Sequence, residues 1–374
     1  MMYSRADNSG FARWWWTIDR TALFGILCLI AIGLVLAFAA SPAATGGSQT
    51  AGNFTYALRQ FAFALVAVTV LVGASLLDPK QMRLIAATIF ALALIGACYV
   101  LLSSSSVNGA NRWVQIGSFT LQPSEFLKPA FAILAAAFLA DKLKHGFPGE
   151  LVTLAVLSPA VLILLLQPDV GQTALLVMLC AVMLFFGGLR YYWIAALAGG
   201  GTALATLAYF LHPHVRQRIA DFLDPATQGY QVGLAMDAFT AGGIMGVGPG
   251  AGTIKYRLPD AHTDFIFAVA GEEFGLVLCA LIAGLFALVT LRLLMRAARA
   301  PEPFAQLAGA GLAVVIGLQA FINMGVSLSL LPAKGMTLPF VSYGGSSQLA
   351  VALTLGLALG ITRQRPQVPG ASHG

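Results

Sequence analysis

Charge is the scarcest property of this sequence. Asp, Glu, Lys and Arg make up 10% of its 374 residues, while 58% are hydrophobic and the mean hydropathy is +0.83. Soluble domains carry about 25% charged residues, and no segment here is long and polar enough to form one. The formal net charge of +6 does not indicate nucleic-acid binding, because basic residues at the ends of membrane spans mainly set orientation. These deficits exclude a soluble protein and favour a single membrane domain.

Cysteine is also scarce, and its placement excludes two kinds of site. Cys28, Cys98, Cys180 and Cys279 all lie inside apolar runs, so neither a disulfide framework nor a zinc site is indicated. The glycine-rich run 242–252 lacks the spacing of a Walker or dinucleotide-binding loop. We interpret it as a flexible loop, with close backbone approach to a phosphate as the alternative.

Long hydrophobic runs are what the sequence has in abundance. A bilayer-spanning helix needs about 20 apolar residues. The runs predict an all-α integral membrane protein with about ten transmembrane helices, at 22–40, 60–77, 84–102, 126–141, 151–167, 169–187, 191–211, 264–291, 304–331 and 339–361. A large structured extracytoplasmic loop, about 212–263, separates spans seven and eight. The chain is therefore divided into an N-terminal tail (1–21), a membrane domain (22–361) and a C-terminal tail (362–374).

The basic residues predict the orientation of these spans. Most Lys and Arg side chains fall in the shorter loops on the side of the N-terminus, so that side is expected to be cytoplasmic. Both tails are then cytoplasmic. No internal repeat, direct or inverted, indicates a transporter built from two halves.

Asp264 is the first candidate for chemistry. It lies at the aqueous mouth of span eight, after a loop segment that also carries Lys255, Arg257 and His262. A carboxylate at this boundary can take a proton from a substrate whose lipid tail stays in the membrane. The neighbouring cations would suit a pyrophosphate. The alternative is that Thr263 or Asp264 only caps the following helix.

Glu272 and Glu273 lie deeper in the same span, about 12 Å into the bilayer if the helix is straight. Charged groups at such depth usually face the bundle interior or a wet cavity. Glu272 is rotated by about 80° from Asp264 and Glu273 by about 180°. We assign both a structural or supporting role. Pairing with a basic residue that locks helices together and a direct functional role both stay open.

Two polar segments precede span four. An Asn-Gly turn signal at residue 108 and the alternating residues up to 122 predict a small β-hairpin on the membrane face. Arg112 and Trp113 could bind phosphate and stack on a sugar, or could anchor the chain at the interface. Glu125 and Lys128 share one helix face. Lys128 is a candidate substrate contact and Glu125 a supporting residue, with a local ion pair as the alternative.

Two breaks in the apolar pattern complete the candidates. Asp169 lies at the helix break between spans five and six, where irregular backbone must face protein or water, and we give it a supporting role. The segment 323–347 joins spans nine and ten, and its prolines and glycines suit a re-entrant turn that lines a cavity. Lys334 and Ser342 in this segment are candidate contacts for an anionic head group.

Taken together, these motifs resemble those of the SEDS family of polytopic cell-wall glycosyltransferases, in family order and over nearly the whole chain. They are Arg112-Trp113 with Gln122-Pro-Ser-Glu125, Gln167-Pro-Asp-Val-Gly171, Phe222-Leu-Asp-Pro225, Gly229-Tyr-Gln231, His262-Thr-Asp-Phe265 and Leu338-Pro-Phe-Val-Ser-Tyr-Gly-Gly-Ser346. The residues at 13–16 and 333–337 are more similar to the division-type members of the family than to the elongation-type members. The sequence departs from the family pattern at Ala235, Asp237 and Ala251.

The resemblance implies a ten-span fold and the polymerisation of lipid II, the undecaprenyl-pyrophosphate-linked disaccharide pentapeptide. The family's catalytic aspartate falls on Asp264. The implied partners are a class B penicillin-binding transpeptidase and other divisome membrane proteins, and the implied location is the division septum in the bacterial cytoplasmic membrane.

Such a reaction needs a general base and positive charge at the leaving group. We assign Asp264 as the base and expect Arg112, Lys255 and Lys334 to contact the leaving group, with Arg216 and Arg218 in reserve. A divalent cation, Mg²⁺ or Mn²⁺, could supply part of that charge. The alternatives are an elongation-type polymerase, a flippase or transporter of a lipid-linked precursor, and a scaffold for a transpeptidase without catalysis of its own.

Overall fold

The computed structural model describes residues 10–44, 54–102, 112–117, 119–189, 230–332 and 335–363, together with isolated positions between 195 and 220. Helices dominate these residues. They are α1 (Gly10–Thr17), α2 (Arg20–Ala44), α3 (Thr55–Leu76), α4 (Pro79–Leu102), α5 (Pro123–His145), α6 (Gly149–Leu166), α7 (Val170–Phe186), α8 (Tyr230–Gly242), α9 (Ile266–Ala298), α10 (Pro303–Ser327) and α11 (Gly345–Ile361).

This architecture confirms the predicted fold class, an all-α multi-pass membrane protein. Among the described residues, six helices are long and apolar enough to cross a membrane, namely α2, α3, α4, α6, α9 and α10, and α7 and α11 are shorter apolar helices. The predicted span at 191–211 falls largely outside the described residues. Span ten was predicted from residue 339, but its helix begins at Gly345 because residues 339–344 form a turn.

Burial separates central helices from peripheral ones. The most apolar window of α10 is 67% buried within the protein, whereas that of α4 is 28% buried. Helix α10 packs against α5, α9 and α11, while the exposed side of α4 carries large apolar residues such as Leu84, Leu92 and Ile95. Exposed apolar side chains of this kind suit contact with lipid.

One end of the bundle is held by contacts between the tails and the end of α9. The carboxylate of Asp19 pairs with Arg292 at 3.1 Å and with Arg296 at 2.6 Å. Arg363, at the opposite end of the sequence, donates a hydrogen bond to the hydroxyl of Thr17 at 3.0 Å. Both tails therefore leave the bundle at the same end, and Asp264 precedes the other end of α9.

The predicted β-hairpin is present at that other end. Strands β1 (Val114–Ile116) and β2 (Phe119–Leu121) pair antiparallel. Gly117 lies in the turn with a φ of 62°, a conformation that favours glycine. Helix α5 begins immediately afterwards, with Pro123 in its first turn, where proline is well tolerated.

Helix α9 is broken at Gly275. This residue has a φ of 74° and a ψ of −173°, a conformation that is essentially restricted to glycine. A Cβ atom built here would lie 2.2 Å from the carbonyl oxygen of Ile244. The break leaves backbone groups on both sides without helical partners, and such groups need partners wherever water is scarce.

The glycine-rich run supplies these partners. Before the break, the carbonyls of Glu272 and Glu273 accept the N–H groups of Val247 (2.9 Å) and Gly248 (3.0 Å). After the break, the N–H groups of Leu276 and Val277 donate to the carbonyls of Gly243 (3.0 Å) and Ile244 (3.3 Å). These bonds correct the interpretation of the run as a flexible loop. Its backbone does approach a partner closely, but the partner is the broken helix.

Candidate active site

Asp264 lies in a tight turn immediately before α9. The N–H groups of Thr263, Asp264 and Phe265 all donate to the carbonyl of Asp260, at 3.0, 3.0 and 3.3 Å. The N-cap position of α9 is occupied by Phe265, which provides no side-chain cap. The hydroxyl of Thr263 bonds to the carbonyl of Asp260 rather than to the helix. The helix-capping alternative therefore lacks support, and Asp264 itself is partly exposed.

A second segment approaches Asp264 from the turn between α10 and α11. A Cβ atom built on Gly335, which has a φ of 58°, would lie 3.4 Å from the Oδ2 atom of Asp264. The amide nitrogen of Asn323 donates both to the carbonyl of Asp264, at 2.9 Å, and to the carbonyl of Met336, at 2.5 Å. Asn323 thus joins the backbone of Asp264 to the segment opposite.

Glu272 holds the segment 252–256 against α9. Its carboxylate accepts the N–H groups of Thr253 (2.6 Å), Ile254 (2.7 Å) and Lys255 (3.0 Å), which begin a 3₁₀ helix at Ile254–Tyr256. A Cβ atom on Gly252 would lie 2.9 Å from this carboxyl group. Glycine at that position therefore lets the loop approach Glu272.

Glu273 forms a buried ion pair with Lys255. The Nζ atom of Lys255 also donates to the carbonyl of Ala39 at 2.9 Å, and the side chains of Lys255 and Glu273 are 1% and 0% exposed. This placement corrects the prediction that Lys255 contacts the leaving group, because its ammonium faces protein and not the loop surface.

The break at Gly275 also bears on the depth expected for Glu272 and Glu273. The straight segment between Gly275 and Arg292 is about 24 Å long at 1.5 Å per residue, which approaches the thickness of the hydrocarbon layer. Both glutamates precede the break and therefore lie between Asp264 and this apolar segment. The depth of about 12 Å from Asp264 stays a prediction, because the break follows both glutamates and does not change the helical rise that separates them from Asp264.

Lys128 is likewise bound within the protein. Its Nζ atom donates to Glu125 and to the side-chain oxygen of Gln319, both at 2.8 Å. Glu125 also accepts a hydrogen bond from Gln172 at 2.6 Å. Lys128 is 2% exposed, so the structure corrects its assignment as a substrate contact and favours the alternative of a local ion pair with Glu125.

Arg112 binds the backbone at the break between α6 and α7. Its guanidinium donates to the carbonyls of Gln167 (3.4 Å) and Pro168 (2.6 Å) and lies 4.0 Å from the carboxylate of Asp169. Burial raises the pKa of Asp169, and the charge of Arg112 opposes this only in part. The expected role of Arg112 at the leaving group is not favoured by this placement, because two of its three guanidinium nitrogens already donate to these carbonyls. Trp113 remains exposed at the start of the hairpin.

An aromatic cluster adjoins Asp264. The ring centroid of His262 lies 4.8 Å from that of Tyr56 and 5.7 Å from that of Tyr343, which are 5.0 Å apart. The N–H of Tyr343 donates to the carbonyl of His262 at 2.9 Å. Burial lowers the pKa of His262, so its ring is neutral at pH 7. Sequence reasoning missed Tyr56, which belongs to no motif.

Ser342 is buried beside this cluster and acts within its own turn. Its hydroxyl accepts the N–H of Leu338 at 2.7 Å, and its carbonyl accepts the side-chain amide of Gln60 at 3.2 Å. Ser342 as a whole is only 2% exposed. The expectation that it contacts a head group is therefore corrected.

The remaining cations fall into two groups. Arg257 and Arg216 are exposed, whereas Lys334 and Arg218 lie outside the described residues. Within the described part of the chain, no group of three His, Cys, Asp or Glu side chains could hold a metal ion. The requirement for a divalent cation stays a prediction.

The fold and this site define a polytopic helical membrane protein with a partly exposed carboxylate at the aqueous end of a broken helix. Residues 20–367 match the family described as cell cycle protein, which comprises FtsW, RodA and SpoVE. The chain belongs to this family, and the resemblance inferred from the motifs is confirmed.

Three relatives match this chain along almost their whole length. The probable peptidoglycan glycosyltransferase FtsW of Caulobacter vibrioides is 43% identical, over 99% of this chain and 95% of the relative. Proteins of the same description from Geobacter sulfurreducens and Coxiella burnetii are 35% and 34% identical, over 94% and 92% of this chain and 96% of each relative.

Two solved structures share the fold. A chain from a peptidoglycan synthase complex that coordinates polymerization and crosslinking superposes with a TM-score of 0.78 and 27% identity, covering 94% of this chain and 99% of that one. The rod shape determining protein RodA of Thermus thermophilus gives a TM-score of 0.70 and 26% identity, covering 95% and 99%.

Proposed function

We propose that this protein is a peptidoglycan glycosyltransferase that polymerises lipid II during septal wall synthesis, with Asp264 as its general base. Family membership and full-length similarity to relatives named probable peptidoglycan glycosyltransferase FtsW support the activity. The placement of Asp264 carries the catalytic assignment. It is a partly exposed carboxylate whose backbone is fixed by Asn323 and by the turn at Asp260.

In the proposed reaction, the hydroxyl of an acceptor sugar attacks the anomeric carbon of the donor. Asp264 takes the hydroxyl proton as the new glycosidic bond forms, and the bond from the anomeric carbon to the lipid pyrophosphate breaks. The lipid pyrophosphate leaves with the bonding electrons. General-base assistance of this kind contributes about 10²–10⁴ in rate.

Positive charge must stabilise the departing phosphate oxygens. Because Arg112, Lys128 and Lys255 are bound to protein groups, this role falls to Arg257 and Lys334. Trp113 and His262 stay candidate contacts for the sugars. A divalent cation bound with the pyrophosphate would add further positive charge.

The direct test gives purified protein lipid II in detergent and resolves the products on a gel. We expect Asp264→Asn to lower the rate of glycan formation by at least about 100-fold without lowering the melting temperature. Asp141→Asn is the matched control, because Asp141 forms a half-exposed pair with Arg83 at the opposite end of the bundle. A variant at Asp264 with undiminished glycan ladders would remove this residue from the mechanism.

The proposed function also implies a partner protein and a location in the cell. The structural similarity to a synthase complex that coordinates polymerization and crosslinking supports a class B penicillin-binding transpeptidase as the partner. We place the protein in the bacterial cytoplasmic membrane at the division septum, with both tails cytoplasmic. A fluorescent fusion should accumulate at mid-cell, and a uniform signal along the side wall would instead favour an elongation role.

A further inference from the structure

Two side-chain amides on α10 lie one helical turn apart and face the turn opposite Asp264. The amide nitrogen of Gln319 donates to the carbonyl of Thr337 at 3.1 Å. The amide nitrogen of Asn323 donates to the carbonyls of Asp264 and Met336 at 2.9 and 2.5 Å. Residues four apart project from the same helix face, so both amides hold the same short segment.

Asn323 differs from Gln319 because its two acceptors belong to separate parts of the chain. One acceptor is the backbone of the proposed general base. The other lies next to Gly335, the residue whose Cβ position is 3.4 Å from the Asp264 carboxylate. A single amide thus fixes the backbone of Asp264 and the neighbouring 335–337 segment relative to each other.

The buried surroundings of this amide keep it in place. Asn323 is 2% exposed and Gln319 is 1% exposed. The side-chain oxygen of Gln319 accepts a hydrogen bond from Lys128, whose charge is neutralised by Glu125. The ion pair therefore orients the amide of Gln319, since a lysine ammonium can only donate. Helix α10 is in turn the most buried of the long apolar helices.

We infer that Asn323 is a positioning residue for glycosyl transfer, which fixes the backbone of Asp264 against the 335–337 segment and so sets where the carboxylate lies. The inference rests on the proposed function. General-base catalysis requires the base to lie within hydrogen-bond reach of the hydroxyl, and a displacement of about 1 Å can cost about 10² in rate. Removing the bridge should therefore lower kcat much more than it changes KM.

The test compares three variants of the full-length protein with lipid II in detergent, at a temperature well below every melting transition. Asn323→Leu removes both donors while keeping the same branched shape and number of side-chain heavy atoms, and we expect kcat to fall by about 30- to 100-fold with KM within about three-fold. Asn323→Ser keeps one donor, so we expect an intermediate kcat. This smaller change also provides a measurement if the leucine variant does not fold.

Gln167→Leu is the matched control. Gln167 is also a buried amide, 3% exposed, and donates to the carbonyl of Ala97 at 2.8 Å, away from Asp264. We expect a melting temperature lowered as in Asn323→Leu, but a kcat close to that of the parent. Equal losses of kcat in the two leucine variants, or a parental kcat in Asn323→Leu, would overturn the inference.

Asp264→Asn separates this inference from the proposed function. If Asp264→Asn is inactive while Asn323→Leu keeps the parental kcat, only the positioning role fails. If Asp264→Asn itself keeps the parental rate, the general-base assignment fails, and the positioning role fails with it.

Discussion

Lys255 and Glu273 form an ion pair that is closed off from water, with Lys255 contributed by the loop before α9 and Glu273 by α9 itself. The ammonium of Lys255 also donates a hydrogen bond to the carbonyl of Ala39 on α2. One oxygen of Glu273 has no hydrogen-bond partner in the described structure. The pair therefore joins the loop, α2 and α9 at one point, close to the break at Gly275.

Removing one member of this pair should destabilise the protein strongly. A buried charge that loses its partner costs about 3–5 kcal/mol, so we expect a large fall in the melting temperature of Lys255→Met in detergent. The double variant Lys255→Met with Glu273→Leu should recover much of this loss, because no charge remains buried. Lys144→Met is the control, since Lys144 pairs with Glu302 in an exposed setting, where such pairs contribute at most about 1 kcal/mol. Equal melting temperatures for Lys255→Met and Lys144→Met would contradict the prediction.

Gly275→Ala should disrupt the junction between α9 and the glycine-rich run. A methyl group at this position would collide with the carbonyl of Ile244, 2.2 Å away, and would require a φ of 74°. We expect loss of folded protein on size-exclusion chromatography. Gly284→Ala, in the same helix, is the control: no atom lies within 4 Å of its Cβ position, and alanine favours a helix by about 1 kcal/mol. A soluble, active Gly275→Ala protein would show that the break is not required.

Because of Asp19, the thermal stability of the protein should depend on pH in the acidic range. Burial tends to raise its pKa, but the N–H of Ala22 and the guanidinium groups of Arg296 and Arg292 outweigh burial and hold the pKa below its ordinary value near 3.8. A carboxylate with a lowered pKa contributes stability above its unfolded pKa and loses it as the pH falls through the folded pKa. We therefore expect Asp19→Asn to melt at a lower temperature than the parent at pH 7. The difference should shrink below about pH 4, and a constant difference down to pH 3 would exclude this origin.

Lys334→Ala should impair substrate use more than folding. Loss of one hydrogen bond to a charged group costs about 1.5–3 kcal/mol, so we expect KM for lipid II to rise about ten-fold or more with little change in melting temperature. Lys80→Ala is the control, because Lys80 is exposed at the end of the bundle opposite Asp264. A collapse of thermal stability with normal KM in the surviving protein would assign Lys334 to folding instead.

The features that sequence reasoning identified correctly are local ones. Hydropathy located the helices, and alternation around residues 114–121 located the hairpin. Polar residues at the mouth of a span stand out from their apolar surroundings, which is how Asp264 was selected; the structure confirms that it directly precedes α9 and is partly exposed. Each of these signals lies within a window of about 20 residues.

The features that were missed depend on contacts between distant residues. Nothing near Lys255 indicates that its ammonium turns inward to Glu273, and nothing near Asn323 indicates two acceptors on different segments. The turn before α11 is similar: Phe340 adopts a φ of 63°, and its carbonyl packs so closely on Gly33 that a Cβ atom there would lie 2.2 Å away. A sequence window that contains only one of the two partners cannot reveal such a contact.

The contacts of Asp19 and Arg363 have a practical consequence for experiments. Since they bring residues 19 and 363 together at the same end of α9, a tag or fluorescent protein added beyond either residue is attached through chain that leaves the bundle at the end opposite Asp264. Immobilising the protein through such a fusion leaves the carboxylate facing free solution, so surface-based assays with lipid-linked sugars are feasible from either end of the chain.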